Sequence, residues 1–213
     1  MKALLGKKRG MTRVFDAEGR QIPVTVIEAG PCVVVQVKSV ERDGYRAVQL
    51  GYDGRPEKRA SKPEIGHARK HGSSPVRRLV EIPVDEDETP EPGQTVTVSM
   101  FENIGYVDVS AVSKGRGFQG VMKRHGMSGQ PASHGHTMHR RTGAIGMGNW
   151  PGRILKGTRL PGHMGNVRVT TQNLQVIQVR PDDHALLVKG SVPGPVGGYV
   201  MVRQACKKTA GVK

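Results

Sequence analysis

Hydrophobic and polar positions alternate in short runs along the first quarter of the chain. Met11 to Phe15, Ile22 to Ala29 and Cys32 to Lys38 are rich in β-branched residues and too short for typical helices. Asp43-Gly44 predicts a hairpin turn before a further strand, Arg46 to Leu50. Turn-forming residues recur at intervals of roughly 8–12 residues, a spacing that predicts an antiparallel barrel or sandwich.

One short helix interrupts this β pattern. Ser61 can cap it, Pro63 and Glu64 suit its first turn, and it is expected to run to about Lys70. His67 and His71, four residues apart, could place two metal ligands on one face of that helix. No carboxylate or cysteine obviously completes such a site, so we favour a solvated basic face.

Strand-like runs return on both sides of a long middle segment. They are Arg77 to Ile82, Thr95 to Val98, Ile104 to Val109, Val167 to Thr170, Leu174 to Val179, Ala185 to Lys189 and Tyr199 to Val202. We therefore predict a mainly β protein with one or two short helices. Its β domain comprises residues 1–110 and 166–213, and residues 111–165 form a long basic, glycine-rich inserted extension.

Charge sets the inserted segment apart. The chain has a net charge of +15, yet from Val109 to Arg180 it contains no Asp or Glu, eleven Lys and Arg, and five of the eight His. The acidic cluster at 85–88 lies elsewhere in the sequence. A segment with unopposed charge and frequent glycine cannot bury enough apolar surface to order itself. We expect it to take one shape when a polyanion neutralises it, and structured RNA fits best.

Several other classes of protein do not fit the sequence. There is no run of about 18 apolar residues that could span a membrane, and the N-terminus lacks the core of a signal peptide. The basic segment also lacks the large apolar residues of a membrane-surface helix. Cys32 and Cys206 lack metal-ligand spacing and are interpreted as small hydrophobes, with a disulfide as the alternative. A cytoplasmic protein without membrane partners is predicted.

A nucleotide-binding enzyme is the alternative hypothesis, because Gly115 to Gly120 spells G-x-G-x-x-G. That fingerprint requires a βαβ unit and an acid about 20 residues further on. The chain offers Arg140 and Arg141 in that neighbourhood and no acid. The glycines equally allow backbone amides to approach the phosphates of RNA.

The remaining candidate residues of the segment also suit RNA. His134, His136 and His139 cluster without cysteine or carboxylate, so phosphate and base contacts are favoured over a metal. Trp150 lies among glycines and prolines, with few apolar neighbours, and could stack on a nucleobase. A short helix is expected from Gly117 to His125. With no nucleophile elbow and no acid near a histidine, we predict no catalytic residue and no enzyme.

The segment from Phe101 to Arg124 resembles the family of large-subunit ribosomal protein three, bacterial type. The family motif is matched at Phe101, Asp108, Ala111, Ser113, Gly115-Arg116-Gly117, Gly120 and Arg124. Further similar segments are Gly6-Lys7-Lys8, Gly10 to Arg13, Ile22 to Val26, Ser133 to Gly135, Gly143 to Gly146, Pro161 to Gly165 and Leu186 to Gly190.

This resemblance implies a translation-protein-type β-barrel whose extension penetrates the large ribosomal subunit. It implies contacts with large-subunit rRNA near its 3′ region, neighbouring ribosomal proteins as partners, and an early role in assembly. The tip, around Met147 to Trp150, would approach the peptidyl transferase centre. No cofactor is implied beyond the structural magnesium ions that rRNA carries, and no homo-oligomer.

The candidate rRNA-binding residues combine this resemblance with the composition of the segment. They are Lys7, Lys8, Arg13, Lys114, Arg116, Lys123, Arg124, His125, His134, His136, His139, Arg140, Arg141, Asn149, Trp150, Arg153, Lys156 and Arg159.

Overall fold

The computed structural model describes residues 3–85 and 90–208, and the chain is mainly β. The strands are β1 Ala3–Phe15, β2 Gln21–Ala29, β3 Cys32–Lys38, β4 Ala47–Gly54, β5 Val76–Pro83, β6 Thr95–Val96, β7 Tyr106–Val112, β8 Phe118–Gln119, β9 Gly162–His163, β10 Arg168–Arg180, β11 Ala185–Lys189 and β12 Tyr199–Gln204. The helices are α1 Val40–Asp43, α2 Lys62–Lys70 and α3 Val121–His125, with 3₁₀ turns at Glu57–Arg59 and Val98–Phe101. Residues 86–88 of the acidic cluster and the C-terminal residues 209–213 lie outside the described residues.

Six strands close into an antiparallel barrel in the order β1-β12-β7-β10-β11-β2. This confirms the predicted barrel, and both ends of the described chain contribute to it. The first strand pairs with the last, with Ala3 opposite Arg203 and Lys7 opposite Tyr199. A closed barrel leaves no unpaired strand edge, which removes the tendency of edge strands to pair with other chains.

A second sheet, in the order β5-β4-β3-β6, shares its hydrophobic core with the barrel. Leu4 and Ile27 of the barrel, Val34 and Leu50 of the second sheet, and Phe101 are all inaccessible to solvent and belong to one cluster. Burying each such side chain stabilises the fold by about 1.5–3 kcal/mol. The two sheets therefore depend on each other.

The connection between β3 and β4 differs from the predicted Asp-Gly hairpin turn. The two strands are antiparallel neighbours, but α1 joins them. Gly44 adopts the left-handed conformation (φ 81°) and its amide donates to the carbonyl of Val40 at 3.0 Å. Gly44 therefore ends a helical turn, a role that glycine serves as readily as a hairpin turn.

The predicted helix after Ser61 is present as α2. The amide of Ser61 donates to the Glu64 carboxylate at 2.8 Å, as the capping pattern requires. His67 Nε2 lies 3.0 Å from the side-chain oxygen of Gln49, and the His67 and His71 rings are 5.0 Å apart. Within residues 3–85 and 90–208, no three His, Cys, Asp or Glu side chains are grouped to hold a metal ion.

Gln49 also joins a polar network around Glu81. Lys38, Tyr45 and Gln49 all donate to this carboxylate, at 2.8, 2.7 and 2.9 Å. These hydrogen bonds, that from Lys38 first, lower the pKa of Glu81 to about 2. Glu81 is therefore ionised at neutral pH and is already engaged within the second sheet.

Both cysteines are free thiols, which excludes the disulfide alternative. Cys32 is buried in the core, where its thiol lies 3.5 Å from the carbonyl of Leu5, and Cys206 is exposed. Burial raises the pKa of Cys32 to about 12. Cys32 therefore acts as the small hydrophobic residue that the sequence predicted.

Lys8 is a buried lysine that holds one loop onto the barrel. Only 8% of it is exposed, and its ammonium donates to the carbonyls of Val192 and Gly194 at 2.6 and 3.3 Å. Its backbone exchanges hydrogen bonds with Gly197 and Gly198. A buried charge is tolerated only where such acceptors compensate it. Lys8 thus fixes residues 192–198 against β1.

We expect Lys8→Met to lower the free energy of unfolding by about 2 kcal/mol. The methionine fills similar space but leaves buried carbonyl groups without a charged donor. Urea unfolding followed by circular dichroism measures this. Arg13→Met, at an exposed position of the same strand, is the control and should change stability little. Equal losses in the two variants would contradict this role for Lys8.

Candidate nucleic-acid interface

The chain consists of two compact units, one formed by Met1–Val112 with Arg168–Lys213 and the other by Ser113–Val167. We call the second unit the basic insertion. It contains nine Lys and Arg, thirteen Gly and no Asp or Glu. Its composition is that of a segment that works against a polyanion.

The two ends of the basic insertion pair with each other as a ribbon. Phe118 lies opposite His163 and Gln119 opposite Gly162. On either side of this pair, the amide of Arg116 donates to the carbonyl of Met164, and the amide of Met164 to that of Gly117, both at 2.9 Å. The first and last residues of the basic insertion therefore lie side by side, joined by backbone hydrogen bonds.

A glycine is required where the two limbs of this ribbon approach most closely. Gly165 has a φ of 77°, and a Cβ there would overlap the carbonyl group of Lys114. Only glycine combines this conformation with so close an approach. The spacing of the limbs is thus fixed by backbone contacts.

Helix α3 adds side-chain contacts between the limbs. Its predicted span, Gly117 to His125, shortens to Val121–His125 because Phe118 and Gln119 are drawn into the ribbon. Arg124 Nη1 donates to the carbonyl of Leu160 at 2.7 Å, and His125 Nε2 lies 3.0 Å from the same oxygen. These two candidate residues therefore hold the insertion together.

The histidine cluster is used in loop contacts. His139 Nδ1 lies 3.0 Å from the carbonyl of Pro131, while the carbonyl of His139 accepts from the amide of Gln130 at 2.9 Å. His136 Nδ1 accepts from the amide of Met138 at 3.1 Å. His134 has a left-handed backbone (φ 59°) and is exposed. The three histidines shape one loop, on which their remaining nitrogens can meet phosphates.

All nine Lys and Arg of the basic insertion are exposed, and none forms an ion pair with a carboxylate in the described part of the chain. They are Lys114, Arg116, Lys123, Arg124, Arg140, Arg141, Arg153, Lys156 and Arg159. No acid of the same unit offsets their field. This is the electrostatic signature of a phosphate-binding surface.

Large apolar side chains are exposed in the same unit. Trp150 is 84% exposed, and Met147 and Phe118 are each 75% exposed. Asn149, beside Trp150, is exposed as well. An exposed flat ring among cations offers a surface on which an unpaired base can stack.

The candidate residues of β1 belong to the other unit. Lys7 donates to Asp53 at 2.9 Å, and the Tyr199 hydroxyl donates to the same oxygen at 2.6 Å. These contacts, that of Tyr199 first, hold the pKa of Asp53 below its usual range. Lys8 is buried, as described, and Arg13 is exposed. The alternation Leu4, Gly6, Lys8 along the strand was the signal that could have indicated an inward Lys8.

The geometry does not support the nucleotide-binding alternative. The segment Gly115 to Gly120 contains the two-residue strand β8 and leads into the five-residue helix α3. Every strand pair within the described ranges is antiparallel, so the parallel βαβ unit that this fingerprint requires is absent there. In the same ranges, none of the helices has the length and apolar character needed to span a bilayer.

Comparison with known proteins agrees with this description. The model of the family described as ribosomal protein L3 matches residues 52–185. The large ribosomal subunit protein uL3 of Corynebacterium diphtheriae is 50% identical over 208 residues, covering 97% of this chain and 95% of the relative. That of Brachyspira pilosicoli is 48% identical over 208 residues, covering 98% and 95%. The chain therefore belongs to the ribosomal protein L3 family, whose members are structural, non-enzymatic proteins of the cytoplasmic ribosome.

Proposed function

We propose that this protein is a structural component of the large ribosomal subunit that binds large-subunit rRNA directly through the basic insertion. The observation that carries this proposal is the set of nine exposed Lys and Arg without a carboxylate in the same unit. We further propose that it helps to nucleate subunit assembly and supports the region around the peptidyl transferase centre. Its partners are then rRNA and neighbouring ribosomal proteins, with no cofactor of its own.

Binding would be driven by the release of counterions from the RNA. Each Lys or Arg that neutralises a phosphate frees condensed cations, so affinity falls with salt in proportion to the number of contacts. Arginine, with its planar fork of donors, can grip a phosphate through two hydrogen bonds. Five of the nine are arginines in the loop and return limb or at α3, namely Arg124, Arg140, Arg141, Arg153 and Arg159.

The ribbon explains how a glycine-rich segment could present these charges in a defined place. Hydrogen bonds between its limbs, with the Arg124 and His125 contacts to Leu160, fix where the loop 126–156 begins and ends. Trp150 and its neighbours from Met147 onward then form the proposed tip, where stacking adds to phosphate contact. Residues 111–165 remain our proposal for the rRNA-penetrating extension.

Arg140→Ala and Arg141→Ala test this function. We expect each to weaken binding to a large-subunit rRNA fragment by about fivefold and to make the log–log salt slope shallower by about 0.7–0.9, one phosphate contact's share. The measurement is filter binding at several salt concentrations. Thermal unfolding of the barrel should stay unchanged.

Arg42→Ala is the matched control, since Arg42 is an exposed arginine on α1 of the other unit. It should leave both affinity and slope near wild type. If Arg42→Ala shifted the slope as much as Arg140→Ala, binding would depend on overall charge and the assignment to the insertion would be wrong.

A further inference from the structure

Strand β5 leaves one edge of the second sheet unpaired. It is the terminal strand in the order β5-β4-β3-β6. It pairs with β4 from Val76, which lies opposite Gly54, to Pro83, which lies opposite Ala47. Its other edge pairs with no strand in the described ranges. An eight-residue edge of unpaired backbone groups is a template for another strand, which proteins usually cover or interrupt.

A groove runs from β5 across the outer face of the barrel. Arg78 and Val80 of β5, Ser110 and Val112 of β7, and Met201 of β12 line a cavity of about 170 Å³. A second cavity of about 380 Å³ continues it and shares Val80, Arg168 and Met201. We call these two cavities the β5 groove.

The first cavity of the β5 groove is positively charged. Arg78 and Arg168 line it, and no carboxylate does. Neither arginine forms an ion pair with a described acid. Arg78 lies 5.3 Å from the centre of the Tyr199 ring, and Arg168 Nη2 lies 4.0 Å from the sulfur of Met201. Both guanidinium groups can therefore accept an acidic partner.

The acids near the second cavity are partly committed elsewhere. Glu81 and Asp85 line that cavity, and Glu81 is held by Lys38, Tyr45 and Gln49. Arg203, which also lines it, pairs with the buried Asp108 at 3.4 Å. The first cavity is therefore the part of the groove where a ligand meets Arg78 and Arg168 with no carboxylate in the lining.

We propose that β5 binds an extended segment of a partner protein as an added antiparallel strand. Successive side chains of a strand alternate between its faces, so residues two apart share one face. The segment that fits has one apolar residue against Val80 and Met201, with an acid two positions before it and another two positions after it. Those acids meet Arg78 and Arg168. Main-chain hydrogen bonds supply affinity, and these side chains supply specificity.

RNA fits this groove less well than a peptide. The free edge offers alternating amides and carbonyls, which only another backbone strand can match in register. The aliphatic Val80 and Val112 and the thioether of Met201 lie beside Tyr199, Arg78 and Arg168, a combination that suits a strand carrying both apolar and acidic side chains. RNA binding at these arginines is the alternative that the test must separate.

The test uses the full chain and a labelled peptide of sequence Thr-Glu-Thr-Val-Thr-Glu-Thr. Binding is followed by fluorescence anisotropy, and backbone amide exchange of β5 is followed in the same samples. One comparison peptide carries lysine for both glutamates. A second keeps every side chain but is N-methylated along one edge, so it cannot complete a strand pair.

The test compares two double variants with the same change in charge. The groove pair carries Arg78→Glu and Arg168→Glu. The control pair carries Arg42→Glu and Arg59→Glu, at exposed positions outside the groove. We expect the groove pair to weaken peptide binding at least tenfold and the control pair to change it less than twofold. The acidic peptide should slow amide exchange in β5, and both comparison peptides should not.

Three results would overturn the proposal. The first is equal weakening by the two pairs of variants, which would mean attraction by overall charge. The second is undiminished binding of the N-methylated peptide. The third is a groove pair that weakens binding of a seven-residue oligouridine but not of the peptide, which would assign these arginines to RNA. The N-methylated peptide needs no variant, so the strand proposal is tested even if the charge reversals unfold the protein.

Discussion

Removing residues 126–156 and joining their ends with a short Gly-Ser linker is expected to weaken rRNA binding by roughly a hundredfold or more. The deletion removes Arg140, Arg141, Arg153 and Lys156. A charged hydrogen bond contributes of order 1 kcal/mol or more, so four lost contacts amount to two decades or beyond. The log–log salt slope should become shallower by about 3, that is, four contacts at about 0.7–0.9 each.

The barrel should survive this deletion. The ribbon residues 113–119 and 162–167, and the contacts of Arg124 and His125 with Leu160, all lie outside the deleted range. Binding to a large-subunit rRNA fragment at several salt concentrations gives the slope, and thermal unfolding gives the stability of the β domain. A soluble product with an unchanged melting temperature is expected.

A full-length variant with glutamine at the same four positions separates the effect of the lost charge from the effect of the lost chain segment. It should reproduce the change in slope while it retains any stacking by Trp150. Should its slope equal that of the wild type, phosphate contact by these residues would be refuted. A deletion product that is insoluble or unfolded would mean that the loop is part of the folding core.

Gly6→Ala is expected to lower the free energy of unfolding by about 3 kcal/mol or to prevent folding. In the β1–β2 pair, a Cβ on Gly6 would overlap the carbonyl oxygen of Glu28 and lie 3.1 Å from the Cα of Ala29. These are backbone atoms of the neighbouring strand, so the clash is relieved only by opening the barrel wall. Overpacking of this kind costs 1–3 kcal/mol or occasionally more.

Gly54→Ala is the matched control for this variant. Gly54 ends β4, has no atom within 4 Å of an added Cβ, and does not have a left-handed φ. Replacing it should leave stability unchanged or raise it slightly, because alanine reduces the freedom of the unfolded chain. Denaturant unfolding of both variants measures the difference. A Gly6→Ala protein as stable as Gly54→Ala would contradict the close approach.

Local patterns predicted the strands of the barrel and α2 because each of these elements depends on residues near in sequence. Alternation marked the strands, and Ser61 with Glu64 marked the start of α2. In the sequence, Gly6 belongs to a segment that resembles the start of the family, whereas its role comes from a strand more than twenty residues away. The alternation along a single strand shows which of its faces is buried, but it does not show how closely the neighbouring strand approaches.

The candidate interface was predictable to about the same extent as the fold. The absence of acids from 109 to 180 identified the segment, since composition needs no knowledge of contacts. Whether a given cation faces solvent or the protein depends on distant partners. Arg124 contacts Leu160, 36 positions away, and Lys8 contacts Val192, 184 positions away. The alternation along β1 indicates that Lys8 faces inward, but no local pattern identifies the partner of either residue, so these contacts came from the structure.

The pairing of the first strand with the last has a consequence for how the molecule folds. The β1–β2 hairpin is local and can form early, but the seam between β1 and β12 joins residues such as Leu4 and Val202 from opposite ends of the chain. Closing so distant a contact is entropically slow. Until β1 and β12 pair, the edges of these two strands can pair with other chains. The yield of refolding should therefore rise as the protein concentration is lowered.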